Sequence, residues 1–397
     1  MPHVPPALPG RPAATHRAGR ERLASLDVLR GAAVAGMIVV NNPGNWGAVL
    51  PPLQHAAWNG WTAADLVFPF FITIMGVAIG LTLPHRVDDA RATVAPGPIH
   101  RRIVTRALTL VALGLVLNAA ATWPDVTDLR VPGVLQRIGL TYAAAVWIAL
   151  GIGTRGLVAI AVALALGHWT LLTMLPFDGA VPGTLLPDAN VARWLDRAVL
   201  DGHVLSPATD PEGIAGTLPA VSTALAGVVA GRWLRLQPRV PATALRLLGA
   251  AGVMSVAGLT WSTVWPLNKT IWTGSFAAFT AGLCLCVLAV AYGSVDLRVA
   301  PPAVRRALGP FEALGTNALV VYAGSELVAR LLDRPIVAWG QAAGASSLKT
   351  IAYWDGLVPW VGDAGGPVSS LLYGLAYAAV WTAAAGVLRG YGIRLRV

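Results

Sequence analysis

The chain has 397 residues, 55% of them hydrophobic and only 12% charged, with a net charge of +10 and a mean hydropathy of +0.63. Soluble domains carry about 25% charged residues, so this composition excludes a water-soluble globule. Of the 29 basic residues all but Lys269 and Lys349 are arginine; in a bilayer protein cytoplasmic loops absorb such an excess, and no nucleic-acid partner is expected.

Residues 1–23 are rich in Pro, Ala and Arg and read as a disordered cytoplasmic tail. The apolar stretch that follows carries Asp27 and Arg30 and lacks a small-residue cleavage site, so it reads as an uncleaved first helix. A bilayer core of about 30 Å needs about 20 helical residues. Ten runs meet that length: 26–43, 62–84, 103–122, 133–151, 156–175, 214–234, 243–264, 271–292, 311–331 and 368–388. Alternate connections collect the arginines: Arg11, Arg17, Arg20 and Arg22 in the N-terminal tail, Arg86, Arg91, Arg101, Arg102 and Arg106 in the connection 85–106, and Arg389, Arg394 and Arg396 at the end. The loop from 43 to 61 carries no charge. The positive-inside rule then puts both termini in the cytoplasm, in keeping with an even number of spans. The expected fold is all-α, a polytopic membrane bundle of about ten helices, with one transmembrane domain over 24–390 and a short cytoplasmic tail at 391–397. Cys284 and Cys286 lie two apart in an apolar run and make no disulfide framework. No internal repeat is evident, which speaks mildly against an inverted-repeat transporter.

The polar residues are few and grouped. Ser25 to Gly31 puts Asp27 and Arg30 three apart on one helix face at the inner start of the first run. They form a local ion pair, or Arg30 joins Arg101, Arg102 or Arg106 in meeting phosphates from the cytoplasm. The first outer loop begins at Asn41 and Asn42 and contains His55, Trp58, Asn59 and Trp61. An unperturbed imidazole titrates near ~6.5 and suits a general base; a solvated loop histidine is the plainer reading. Trp58 and Trp61 serve either as an interfacial belt or as sugar-stacking rings. Thr62-Ala63-Ala64-Asp65 is a capping-box pattern, so Asp65 either caps the second helix or orients His55. Gln136 and Arg137 sit at the edge of the fourth run, where an intramembrane cation marks a site or snorkels to the interface. Asp210 and Glu212 open the sixth run, favouring the helix dipole or binding a cation. Asn268 and Lys269 open the eighth, Lys269 on the side where cations are scarce. Polar motifs at the outer ends of several runs point to one extracytoplasmic-facing pocket. No His-x-x-x-His and no carboxylate–histidine pair stands at ligand spacing, so no metal is expected.

Taken together, 25–31, 53–62, 65–71, 132–138, 210–213 and 266–273 resemble, in the same order, motifs of the heparan-alpha-glucosaminide N-acetyltransferase-like family of integral membrane proteins. The resemblance spans roughly 24 to 390. It implies transfer of an acetyl group from cytoplasmic acetyl-CoA, the acyl donor, to the amine of a glucosamine-type sugar across the membrane, in a bacterial inner (cytoplasmic) membrane. It makes His55 the active-site histidine and Asn41 an asparagine that holds the reacting group. In that chemistry Asn41 or Asn268 would donate to the developing oxyanion. Asp65, Asp210 or Glu212 would attract the ammonium, with Trp58, Asn59, Gln136, Arg137 and Lys269 completing the acceptor site. Arg30, Arg101 and Arg102 would hold the donor. Expected partners are the bilayer, the amino-sugar or glycan acceptor and a second copy of the chain. Two other readings stay open: a transporter of amino sugars or chitin-derived oligosaccharides, a role also proposed for family members, and a structural membrane protein.

Overall fold

A computed structural model describes residues 22–83, 96–206, 209–335 and 347–393. The tail to residue 21, with Arg11, Arg17 and Arg20, and also Arg86, Arg91, Arg394 and Arg396, lie outside the described residues. The elements are all helical: α1 (Ala24–Asn41), α2 (Ala63–Thr82), α3 (Pro96–Thr122), α4 (Val134–Gly151), α5 (Thr154–Met174), the short α6 (Val191–Leu200), α7 (Thr217–Leu236), α8 (Pro241–Trp261) and α9 (Gly274–Ala291). They continue with α10 (Pro302–Ala307), α11 (Gly309–Thr316), α12 (Ala318–Leu332), the one-turn α13 (Leu348–Thr350) and α14 (Val358–Val361), and α15 (Pro367–Gly390).

Among the described residues eight helices are long and apolar enough to cross a membrane: α1 to α5, α8, α9 with its extension to Asp296, and α15. The remaining two expected runs differ for physical reasons. The helix α7 has 20 residues, about 30 Å of rise, but packs against α2, α4, α5 and α9. Surrounded by protein on most sides, it needs less apolar surface and ends in Arg232 and Arg235. Both arginines cap neighbouring helices: Arg232 donates to Ile152 O (2.9 Å) and Arg235 to Leu83 O (3.0 Å), where cations favour the helix C-terminus. The run 311–331 is interrupted at Asn317 (φ −121°, ψ 28°) into α11 and α12.

Glycines set the closest approaches. Gly76 and Gly80 of α2 face Gly227 and Gly231 of α7, two Gly-x-x-x-Gly stripes in register. A Cβ at Gly76 would lie 2.1 Å from Ala224 O, and one at Gly227 2.3 Å from Thr73 O. Small residues let membrane helices touch backbone to backbone. Gly76→Val should therefore destabilise the fold by roughly 2–3 kcal/mol, read as earlier thermal unfolding in detergent. Gly249→Ala, with open space around its Cβ position, should leave unfolding in place.

The first and last described residues return to one face. The α1 amides of Ala24 and Ser25 donate to Asp296 at the end of α9 (2.9 and 3.2 Å). Gly315 of α11 packs against the backbone of Asp27, and Asn317 Nδ2 reaches Ile393 O just past α15 (3.2 Å). The opposite face carries the segments 42–62, 123–133, 175–206, 209–216 and 262–273, stitched by Gly60 N to Leu267 O (2.8 Å) and Val131 N to His203 O (2.9 Å).

Candidate active site

At that opposite face the capping box and the histidine meet. Asp65 Oδ2 accepts from the amides of Thr62 (3.0 Å) and Ala56 (3.0 Å), closing the N-terminus of α2. Its Oδ1 pairs with His55 Nδ1 at 2.8 Å. Both sequence readings of Asp65 thus hold in one carboxylate, which is 1% exposed. A carboxylate only accepts, so Nδ1 carries the proton and the Nε2 lone pair is the basic site. Lys269 Nζ lies 3.1 Å from His55 Nδ1, 3.4 Å from Nε2 and 3.5 Å from Asp65 Oδ1. Burial pushes the Lys269 ammonium below its ordinary value, with Glu212 and Asp65 opposing. Lys269 is held by a tight turn: Asn268 Oδ1 accepts from Ile271 N (3.0 Å), and Trp272 takes a left-handed backbone (φ 51°), uncommon for an aromatic residue.

His55 and Lys269 open onto a cavity of about 280 Å³, also lined by Asn41, Gln136, Arg130, Glu212, Tyr322 and Glu326. Arg130 braces one wall, donating to Asp210 through Nε (2.8 Å) and Nη2 (2.6 Å) and to Glu212 (2.6 Å). Burial acts against both charges of the Arg130–Asp210 pair, but the contacts outweigh it and hold Asp210 below the ordinary carboxylate range. Across the cavity Asn41 Nδ2 donates to Glu326 Oε1 at 2.8 Å.

The segment carrying Glu212 is anchored from α6, where Asp196 Oδ1 accepts from Ile214 N (2.8 Å). Burial raises the Asp196 carboxyl to about 6. A raised carboxyl favours the protonated folded state, so this contribution is full below pH ~4 and is lost as pH rises through ~6. Asp196→Asn, which keeps the acceptor, should raise stability above pH ~6 by up to about 3 kcal/mol. Thermal unfolding should show the gain at neutral pH and none below pH ~4; an equal gain at both would contradict it.

At the face that holds the start of α1 and the end of α15 lies a larger cavity, about 910 Å³. Arg22, Arg30, Arg102, Arg106, Arg235 and Arg239 line it, against one carboxylate among the described residues, Asp27. Arg30 Nη1 pairs with Asp27 Oδ1 (2.7 Å), and Arg106 lies over the Tyr142 ring, 4.7 Å from its centroid. The two cavities stack along the same helices. Their lining residues are Phe71 and Phe68 on α2, Leu110 and Gly114 on α3, Ile138 and Leu135 on α4, and Leu319 and Tyr322 on α12. Three or four positions correspond to about 4.5–6 Å of rise, one helical turn. On α1 the buried Val34 separates Arg30 from Met37.

The expected site residues therefore divide. Asn41, His55, Gln136, Glu212 and Lys269 line the smaller cavity, the outer one in the orientation expected from the arginines, with Asp65 behind His55. Arg30 and Arg102 line the inner one; Arg101 does not, its side chain being exposed elsewhere. Five others line neither cavity. Trp58 donates its indole N–H to Leu185 O (2.8 Å) and packs in the cluster of Leu172, Phe177 and Val191, outside the lining of the smaller cavity. Asn59 Oδ1 accepts from Asn268 Nδ2 (3.1 Å), so that amide is already engaged. Arg137 is fully buried, donating to Gly213 O (2.8 Å) and lying 5.2 Å from the Trp272 ring centroid. Asp210 braces Arg130 and the turn after it. Sequence reasoning passed over Glu326, Arg330 and Arg130; for Glu326 the signal was there, an acid inside an apolar run.

Residues 22–261 match the family model described as heparan-alpha-glucosaminide N-acetyltransferase, catalytic. The human protein named heparan-alpha-glucosaminide N-acetyltransferase is 27% identical over 366 residues, 77% of this chain and 53% of the human one. The mouse protein of that name is 26% identical over 374 residues, 79% of this chain and 55% of its own. The chain spans about half the length of the curated relatives it matches.

Proposed function

Because the chain belongs to the heparan-alpha-glucosaminide N-acetyltransferase catalytic family, we propose that it is a transmembrane acetyltransferase. It takes the acetyl group of cytoplasmic acetyl-CoA and delivers it to the amine of a glucosamine-type sugar on the extracytoplasmic side of a bacterial inner membrane. The observation that carries this reading is the pair of stacked cavities of different chemistry, one helical turn apart: the inner lined by six arginines and Asp27, the outer by His55 and a mix of cations and carboxylates, Arg130, Lys269, Arg330, Glu212 and Glu326.

In this reading the inner arginines take the phosphates of CoA, Arg102 and Arg106 foremost, as charge-assisted hydrogen-bond donors. The thioester enters the bundle between α1, α2, α3, α4 and α12. In the outer cavity Glu212 faces the amino sugar. His55, oriented by Asp65, removes a proton from the attacking nitrogen through Nε2. Lys269 supplies positive charge where the thioester oxygen becomes an oxyanion, in a recessed site where such charge counts for more than in water. The same atoms serve a second route, in which His55 Nε2 first accepts the acetyl group; CoA release in a single turnover without acceptor separates the two. A transporter would bring one substrate to both openings, whereas these two cavities present chemistries suited to two different substrates.

The test is acetyl transfer from radiolabelled acetyl-CoA to glucosamine by purified protein in detergent. Labelled N-acetylglucosamine is the expected product. No transfer to a panel of amino sugars, with no CoA binding, would overturn the proposal in favour of a transporter.

A further inference from the structure

Acetylation of an amino sugar releases two protons from one nitrogen. In the balanced reaction R–NH3⁺ and the thioester give R–NH–CO–CH3, the free thiol and one H⁺. The C–N bond forms and the C–S bond breaks. One nitrogen proton passes to the departing sulfur, which His55 can relay. The other must leave before attack, because an ammonium has no lone pair, and it needs a second acceptor.

Among the described residues lining the outer cavity two are carboxylates, Glu212 and Glu326. Glu212 is already engaged by the Arg130 guanidinium at 2.6 Å. Asp65, behind His55, already takes two backbone amides and the imidazole. Glu326 differs. It sits on α12 with its side chain 13% exposed. Its nearest cation, Arg330 Nη2, is 3.6 Å from Oε2, and its Oε1 accepts from Asn41. The other charged or titratable groups around it are Tyr322 on its own helix, Tyr377 of α15, whose hydroxyl donates to Ser325 O (2.7 Å), and Arg130, Glu212, Lys269 and His55 around the cavity. It is thus the least compensated carboxylate of the cavity.

We propose that Glu326 is the first proton acceptor of the reaction. It binds the acceptor as the ammonium, takes one proton to generate the free amine, and leaves the second proton to His55. The Asn41–Glu326 hydrogen bond holds that carboxylate in place. This rests on the acetyltransferase reading above.

The experiment compares wild type and Glu326→Gln, purified in detergent, on two acceptors: glucosamine and an O-alkylhydroxylamine, whose nitrogen is already unprotonated at neutral pH. Glu326→Gln should lower kcat/KM for glucosamine at neutral pH by about 10²-fold. The deficit should shrink as pH rises and free amine accumulates, and should be largely absent with the hydroxylamine. An equal loss on both acceptors at every pH would mark a structural role and overturn the proposal, as would no loss at all. If Glu326→Gln does not fold, Arg330→Met decides instead. Removing the cation lets Glu326 hold its proton to higher pH, so the acidic limb of the glucosamine profile should move up; an unmoved limb overturns the proposal. A wild type active on neither amine would instead sink the acetyltransferase reading, and this inference with it.

Discussion

His55→Ala is expected to lower acetyl transfer by about 10³-fold, within the range for loss of a general base, without lowering the unfolding temperature. The side chain is 48% exposed and holds no helix end together. Asp65→Asn should act differently. The same carboxylate orients His55 and closes the N-terminus of α2, so the variant should lose activity and also about 1 kcal/mol of stability with the cap. Initial rates and thermal unfolding on the same preparations distinguish the cases. A His55→Ala protein that is inactive only because it unfolds early would remove the evidence for a chemical role.

The second large effect lies at the other cavity. Arg102→Glu and Arg106→Glu should each raise KM for acetyl-CoA by roughly tenfold, the size of one charge-assisted hydrogen bond of about 1.5 kcal/mol, with kcat for the bound donor little changed. Arg101→Glu is the built-in comparison. It neighbours Arg102 in sequence but does not line the cavity, and should shift KM far less. Equal effects from all three would mean that general surface charge, and not the cavity, attracts the donor.

Much of the fold was readable because the bilayer imposes a length and an apolar content on each span. The two exceptions share one cause. The helix α7 is wrapped by other helices, and α11–α12 is interrupted at Asn317; tertiary neighbours, and not hydropathy, decide how such segments run. The geometry of the candidate site was readable where it is local: His55 and Asp65 are ten residues apart, and the capping-box pattern fixed the place of Asp65. It was unreadable where it depends on long-range packing. The arginines of the inner cavity come from positions 22, 30, 102, 106, 235 and 239, and only the bundle brings them together. Glu326 meets Asn41 across 285 positions. Trp58 and Asn268 looked like binding groups from their company in sequence, but their polar atoms are engaged by Leu185 and Asn59.

The most direct test uses sealed inverted membrane vesicles, cytoplasmic face outward, containing the protein. Radiolabelled acetyl-CoA is added outside and glucosamine is trapped inside. The proposed assignment of donor and acceptor to the two stacked cavities predicts labelled N-acetylglucosamine in the lumen while CoA appears outside. Product formed only when both substrates share one side would contradict two-sided transfer.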